Sequence, residues 1–364
     1  MRPRIGVIGG GVMGTTHGKA IHYLIKNGIV DAEIVAVADE DGERLDRYQR
    51  VSGAKLATRD ARELIASSGV NTVYVCTPTF SHLELVREVA GRGKALFCEK
   101  PLAFNAQDAA TMADVAARAG ITHQVGLVLR FSPVINVMRQ LIASPESGRA
   151  MTCVMVDDQF FPITGHYGST WRGDVRYVGA GTLLEHAIHD IDVLQWYFGA
   201  PHRVFGVTRA FFGKPGIEDT TSTVLEFPSG AVVSHTSVWH NLLHRGSTRR
   251  MHVICENAQY WWQDDDYSGP IVADSNETGA PAEIPRAGVV RRFLDAHDIP
   301  HDRLRDAIGE TDLGWAYLLE DYAFLRAVAG DRPAAPSFDV AVAAHRTVDA
   351  IYESARISAP VELK

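Results

Sequence analysis

The most constraining stretch lies at the N-terminus. Residues Arg4 to Ile8 read as a buried strand, Gly9-Gly10-Gly11-Val12-Met13-Gly14 follow at once, and Thr15 to Lys26 carry a helical pattern. Glycine at the first, third and sixth positions has a separate physical reason each time. The first permits the tight turn, the second lets backbone approach a pyrophosphate, and Gly14 lets helix and strand pack closely with the helix N-terminus facing an anion. Glu33 to Asp39 then forms a second strand ending on a carboxylate, where a ribose diol would be gripped. Glu40 and Asp41 extend that acidic end and would repel a 2′-phosphate, so the expected cofactor is NAD rather than NADP. Gly9, Gly11, Val12, Met13, Gly14 and Asp39 are the expected binding residues.

The strand and helix alternation continues. A polar helix around Asp60 to Ala66 precedes an apolar strand breaking at Thr77-Pro78, a helix from His82 to Gly91, and a short strand ending on Glu99-Lys100-Pro101. An alanine-rich helix, Asn105 to Arg118, and a further strand, Thr122 to Leu129, complete this part. In a doubly wound sheet ligands sit beyond the carboxyl ends of the strands, and Asp39, Thr77 and Lys100 all occupy such ends. From about Cys153 the rhythm changes to strand-like runs, Cys153 to Val156, Arg203 to Phe212, Thr220 to Phe227, Ala231 to Val238 and Arg250 to Trp262, several joined by turns with no helix between. The expected fold is an α/β Rossmann doubly wound parallel sheet over 1–124, then an α+β domain over 125–364 with a large, mostly antiparallel sheet. Two helices, Leu313 to Ala329 and Val340 to Arg356, close the chain; Asp264 to Ala287 reads as a solvated acidic excursion.

Within the second part, Glu185 and His189 are four residues apart beside Leu183, Ile188, Ile191 and Leu194. On one helix both would project from a single face with apolar neighbours, a setting for an acid/base pair or for a histidine satisfied by a carboxylate. His166, Tyr167, Trp171 and Arg172 fall in an expected loop from Phe160 to Tyr177, with side chains suited to lining a cleft or packing on a sheet. His186 and Asp190 also stand four apart, but no third ligand accompanies them and no metal is expected.

Composition narrows the partners. A net charge of -8 without a Lys/Arg block argues against nucleic acid or an anionic membrane and favours a small substrate. No run of about 18 apolar residues occurs, so no membrane span is expected. The apolar stretch after Met1 is too short and glycine-rich for a signal peptide. Four dispersed cysteines without a CxxC suit a reducing, cytoplasmic compartment. The 46% hydrophobic and 22% charged composition of 364 residues allows about two well-cored domains.

Together, Gly9-x-Gly11-x-x-Gly14-x-x-His17, Thr77-Pro78 with His82, Glu99-Lys100-Pro101, and Gly179-x-Gly181 through His189 and Asp192 closely resemble the glucose-fructose oxidoreductase / inositol dehydrogenase (Gfo/Idh/MocA) family. The likeness spans nearly the whole chain, including the closing Glu320 to Leu325, Gly330-Asp-Arg-Pro333 and Pro360-Val361. The resemblance implies an NAD-dependent dehydrogenase or reductase acting on a secondary hydroxyl of a sugar, sugar derivative or cyclitol. Lys100 and His189 take the positions of the family's catalytic groups, with Glu185 as a histidine or substrate contact where the family more often has Asp. Thr77, Pro78, His82, Glu99 and Lys100 are then expected beside the cofactor, and Lys100 again, with Arg172, Trp171, His166, Tyr167, Glu185 and His189, beside the substrate. The second domain is expected to mediate a homo-oligomer, a dimer or tetramer. Two rival readings share this fold: an enzyme cleaving glycosides or ethers through transient oxidation by NAD, and a non-catalytic protein sensing a sugar or nucleotide.

Overall fold

A computed structural model describes residues 1–165, 168–244, 246–264, 267–276, 278–297 and 314–363. The chain divides into two units, Met1–Val128 with Pro300–Val342, and Leu129–Ile299 with Ala343–Lys364.

The first unit is built on a six-stranded parallel sheet ordered β3-β2-β1-β4-β5-β6. Its strands are β1 (Arg4–Ile8), β2 (Glu33–Ala38), β3 (Leu56–Thr58), β4 (Thr72–Val75), β5 (Ala95–Cys98) and β6 (His123–Val125). Between them run helices α1 (Val12–Lys26), α2 (Gly42–Ser52), α3 (Ala61–Ala66), α4 (His82–Gly91) and α5 (Ala106–Ala119). The strands are nearly continuous apolar runs because helices cover both faces, and Val73, Val75, Leu96 and Cys98 reach essentially zero exposure. The helix α2 has no apolar run to announce it. Its caps define it instead: Asp41 accepts the Arg44 N–H at the start, and Gly53 takes a left-handed conformation at the end.

The second unit carries a nine-stranded mixed sheet ordered β14-β13-β12-β11-β7-β10-β9-β8-β15. These strands are β7 (Ala150–Phe160), β8 (Arg203–Arg209), β9 (Thr220–Glu226), β10 (Val232–His240), β11 (Thr248–Cys255), β12 (Ala258–Asp264), β13 (Ile271–Ser275), β14 (Ala282–Ile284) and β15 (Val361–Glu362). Only β10 and β7 pair in parallel; the other neighbours are antiparallel. Burial alternates strictly along β9 and β10, as a sheet with one covered face requires. The helices are α6 (Pro133–Ile142), α7 (Val175–Val178), α8 (Thr182–Glu185), α9 (Ile188–Phe198) and α10 (Arg286–His297). The last two helices are α11 (Trp315–Ala329), in the first unit, and α12 (Phe338–Ile357), whose residues the unit boundary divides.

Three sequence-based expectations are corrected. The run Arg250 to Trp262 is two strands, because the chain reverses at Glu256-Asn257 so that Arg250 pairs with Gln263. The excursion from Asp264 to Ala287 contains β13 and β14, which lengthen the sheet by hydrogen bonding that their irregular polarity hides. The loop from Phe160 to Tyr177 contains a 3₁₀ turn at Thr170–Gly173 and the start of α7.

Candidate active site

In the first unit the glycine loop leads from β1 into α1. Gly9 has φ of +95°, and a Cβ there would lie 2.6 Å from the Cys76 carbonyl oxygen. A Cβ on Gly14 would lie 1.8 Å from the Gly9 carbonyl oxygen, whereas one on Gly11 would meet nothing within 4 Å. The first and last glycines are therefore required by backbone packing and the middle one faces open space. The α1 N-terminus has no side-chain cap and no acidic residue in its first turn, so its N–H groups and dipole suit an anion. These features suit a dinucleotide pyrophosphate, which Gly11, Val12 and Met13 are the residues placed to hold.

Asp39 stands just beyond β2 and is almost fully buried. Its carboxylate accepts the Gly10 N–H at 2.7 Å and the Asp41 N–H at 2.8 Å. Arg44, absent from the sequence-based reading, also reaches it from α2 with Nε at 3.2 Å and Nη2 at 3.1 Å. Arg44 stands five residues beyond Asp39 in the first turn of α2, a separation that no helical spacing rule links.

Beyond β4, Thr77 accepts a hydrogen bond on its hydroxyl from Ser81 at 2.7 Å, and Pro78 introduces a 3₁₀ turn at Thr79–Ser81. His82 is buried, its Nε2 2.9 Å from the Thr77 carbonyl oxygen and its Nδ1 3.1 Å from that of Pro101. Beyond β5, buried Glu99 accepts the Lys100 backbone N–H at 3.0 Å, and Lys100 is half-buried before a cis bond to Pro101.

In the second unit the expected single helix holding Glu185 and His189 is corrected. Helix α8 ends at Glu185 and α9 begins at Ile188; between them His186 departs from helical geometry, while Ala187 already has right-handed helical backbone as the N-cap of α9. The break follows from an ionic network that the spacing rule does not anticipate. His186 Nε2 lies 3.0 Å from Asp157 Oδ2 on β7, and Arg249 Nε on β11 donates to Asp190 at 2.6 Å. Arg249 also lies 3.5 Å from Asp157, and His235 Nε2 lies 3.2 Å from Asp190. Desolvation raises the Asp157 pKa, but Arg249 and then His186 outweigh it and hold the carboxyl well below the usual range.

The start of α8 depends on an equally remote partner. Glu218 accepts the N–H groups of Gly181 at 2.8 Å and Leu183 at 2.9 Å, a carboxylate cap for a helix without one in its own sequence. A Cβ on Gly181 would lie 1.8 Å from the Glu218 carbonyl oxygen, which explains that glycine. Glu185 and His189 are both buried. Arg172 donates to Glu185 at 3.0 Å and its guanidinium lies 4.3 Å from the centre of the Trp171 ring. The structure thus brings Glu185, Arg172 and Trp171 together; His166 and Tyr167 lie outside the described residues. Asp192 takes a bidentate pair of hydrogen bonds from Arg130, each 2.8 Å.

Two family models match. Residues 3–127 match the oxidoreductase family with an NAD-binding Rossmann fold, and residues 135–261 match the GFO/IDH/MocA C-terminal domain. The chain belongs to the Gfo/Idh/MocA family. Its cofactor class is the nicotinamide dinucleotide of that NAD-binding fold. A myo-inositol 2-dehydrogenase of Thermotoga maritima is 31% identical, the match covering 63% of this chain and 66% of that protein. An inositol 2-dehydrogenase of Rhizobium meliloti is 30% identical over 65% of this chain and 69% of its own. A levoglucosan dehydrogenase solved with NADH superposes over the full length of both chains, with a TM-score of 0.84 at 22% identity. That likeness is one of fold. Among the described residues, no helix is long and apolar enough to cross a membrane.

Proposed function

We propose that this Gfo/Idh/MocA protein is an NAD-dependent dehydrogenase, or reductase in the reverse direction, acting on a secondary hydroxyl of a sugar, sugar derivative or cyclitol. The observation carrying this reading is the placing of Lys100 at the carboxyl end of β5, in the same parallel sheet whose β1 opens into the glycine loop. In such sheets the reactive end of a bound dinucleotide and its substrate gather beyond the carboxyl ends. The likeness to inositol 2-dehydrogenases at 31% and 30% identity supports the substrate class.

When bound, NAD supplies the hydride acceptor. The imidazole of His189 takes the hydroxyl proton, the general-base role for which histidine is the side chain most often used. The Lys100 ammonium stabilises the alkoxide that develops as hydride leaves. Arg172, fixed by Glu185 and stacked over Trp171, offers further N–H donors to substrate hydroxyls, and the indole offers an apolar face to a sugar ring. Asp39 holds the ribose side of the cofactor and favours NAD over NADP. The four cysteines are unpaired, three of them buried, which supports a reducing, cytoplasmic setting. The half-exposed face of the nine-stranded sheet supports a homo-oligomer.

The test is a panel of myo-inositol, D-xylose, D-glucose and levoglucosan followed by NADH absorbance, with Lys100→Ala and His189→Ala beside the native protein. Steady NADH formation, lowered by about a hundredfold or more in each variant, is the expected result. Turnover unchanged by both substitutions refutes the assignment, and product formation without net NADH favours bond cleavage through transient oxidation.

A further inference from the structure

His17 is the part of the glycine-loop motif that cofactor binding leaves unexplained. It sits on α1 with no exposed surface. Its Nε2 lies 2.9 Å from Glu99 Oε1, and its Nδ1 lies 2.9 Å and 3.1 Å from the two carboxylate oxygens of Asp321 on α11. The other Glu99 oxygen accepts the Lys100 N–H at 3.0 Å. Asp321, His17, Glu99 and the Lys100 peptide thus form one continuous chain of hydrogen bonds. We propose that His17, fixed by Asp321, is a positioning residue for Lys100 that acts through the Glu99 carboxylate; the inference rests on Lys100 being the electrostatic partner named above.

The geometry leaves Glu99 little choice of rotamer. A Cβ on Gly126 would lie 3.0 Å from its carboxylate, so glycine there makes room for the side chain to fold back toward its own neighbour. Phe97 packs edge-on against the His17 ring at 4.8 Å, with Tyr74 at 5.6 Å and Tyr317 at 6.2 Å. Those aromatic walls keep the chain of hydrogen bonds dry, where charge-assisted bonds are strong and a broken one is costly. From the other side His82 faces the carbonyls of Pro101 and Leu102, so buried histidines flank Lys100 before and after it.

Both ring nitrogens of His17 face carboxylate oxygens, and the arrangement is satisfied when both carry protons. Burial alone would lower the imidazole pKa, yet Asp321 and then Glu99 outweigh it and raise it well above the ordinary value. The other titratable groups facing the cluster are Tyr48, Cys76, Cys98, Glu320 and Tyr74, whose hydroxyl is directed at Asp321. Burial pushes all five up and so favours their uncharged forms, which do not compete with Glu99 for the imidazolium. The two acids differ: burial outweighs His17 at Asp321 and raises that carboxyl, whereas at Glu99 His17 outweighs burial and lowers it.

The experiment uses the full chain with NADH and needs no variant for its first part. The ¹⁵N shifts of the His17 ring at pH 7 to 8 are expected to report two N–H groups, and a single-proton tautomer at pH 7 overturns the proposal. His17→Gln and Asp321→Asn are then compared with the native protein by hydrogen exchange at the Lys100 amide, NADH affinity from fluorescence, and steady-state kinetics on whichever panel polyol turns over. Faster exchange at Lys100, with kcat lowered about tenfold or more while KM and NADH affinity move by less than about threefold, is the expected pattern. Unchanged Lys100 exchange in both variants, or losses tracking NADH affinity alone, would overturn it. If Lys100→Ala itself leaves turnover intact, the role of Lys100 has failed, while Lys100 exchange and the ring shifts still report on the clamp.

Discussion

His17 and Glu320 show how burial decides charge one side chain at a time. His17 has a raised pKa, so the stability it contributes is complete below its unfolded value of about 6.5 and is lost as pH rises through the elevated folded value. The midpoint of thermal unfolding is therefore expected to decline on the alkaline side in the native protein, and His17→Gln should flatten that decline; equal alkaline slopes in a pH series of calorimetric scans would count against the charged imidazole. Among the described residues, Glu320 has both carboxyl oxygens buried without a hydrogen-bond partner, and burial raises its pKa well above the ordinary carboxylate value. At Asp39 the decisive neighbour is Arg44. Replacing Asp39 by Ala frees that guanidinium as well as removing a carboxylate, and both changes favour a 2′-phosphate. Asp39→Ala should narrow the preference for NAD over NADP by about tenfold or more, equivalent to about 1.4 kcal/mol, as read by fluorescence titration with each cofactor; tighter native binding of NADP would refute the carboxylate reading.

Helices α8 and α9 owe their separation and placement to partners on other elements. Arg249 on β11 pairs with both Asp157 and Asp190, beside His186 and His235 respectively, and removing one partner from such a buried group leaves uncompensated charge. Arg249→Met is expected to cost about 3–5 kcal/mol in urea denaturation, a loss absent if the pair is not buried in solution. The acid side should change with it. Asp157 has a depressed pKa, so its contribution is present above the ordinary carboxylate range and disappears as pH falls; weakening that depression makes the variant's stability less steep in acid. At the start of α8, Gly181→Ala forces a methyl group into the Glu218 backbone. A cost of about 2–3 kcal/mol or more is expected by thermal unfolding, with a smaller cost at Gly11→Ala, where space is open.

At the scale of the whole molecule the nine-stranded sheet leaves Val154, Phe205, Val207, Val224, Val232 and Ile254 between about one third and one half exposed. Burying such a face by pairing with a second copy removes apolar area from water. Light scattering is expected to give a dimer or tetramer, and Phe205→Glu should shift it toward monomer; a native monomer at micromolar concentration would remove this prediction. Glycine spacing in the first thirty-nine residues, apolar runs of strand length and the strand-end Glu99-Lys100-Pro101 were enough to read a doubly wound unit and its cofactor loop, because those features are local. The antiparallel character of the second sheet was legible for the same reason. Remote pairing was not. The hairpin at Glu256-Asn257, the added strands β13 and β14, Glu218 capping α8 and Arg249 splitting α8 from α9 each depend on groups distant in sequence, for which neither periodicity nor spacing carries a signal. His17 shows the boundary clearly: its place in the motif was visible from the chain alone, but only the fold brings Asp321, more than three hundred residues away, within 2.9 Å of its ring, because burial makes a charged imidazole stable only where two carboxylates meet it.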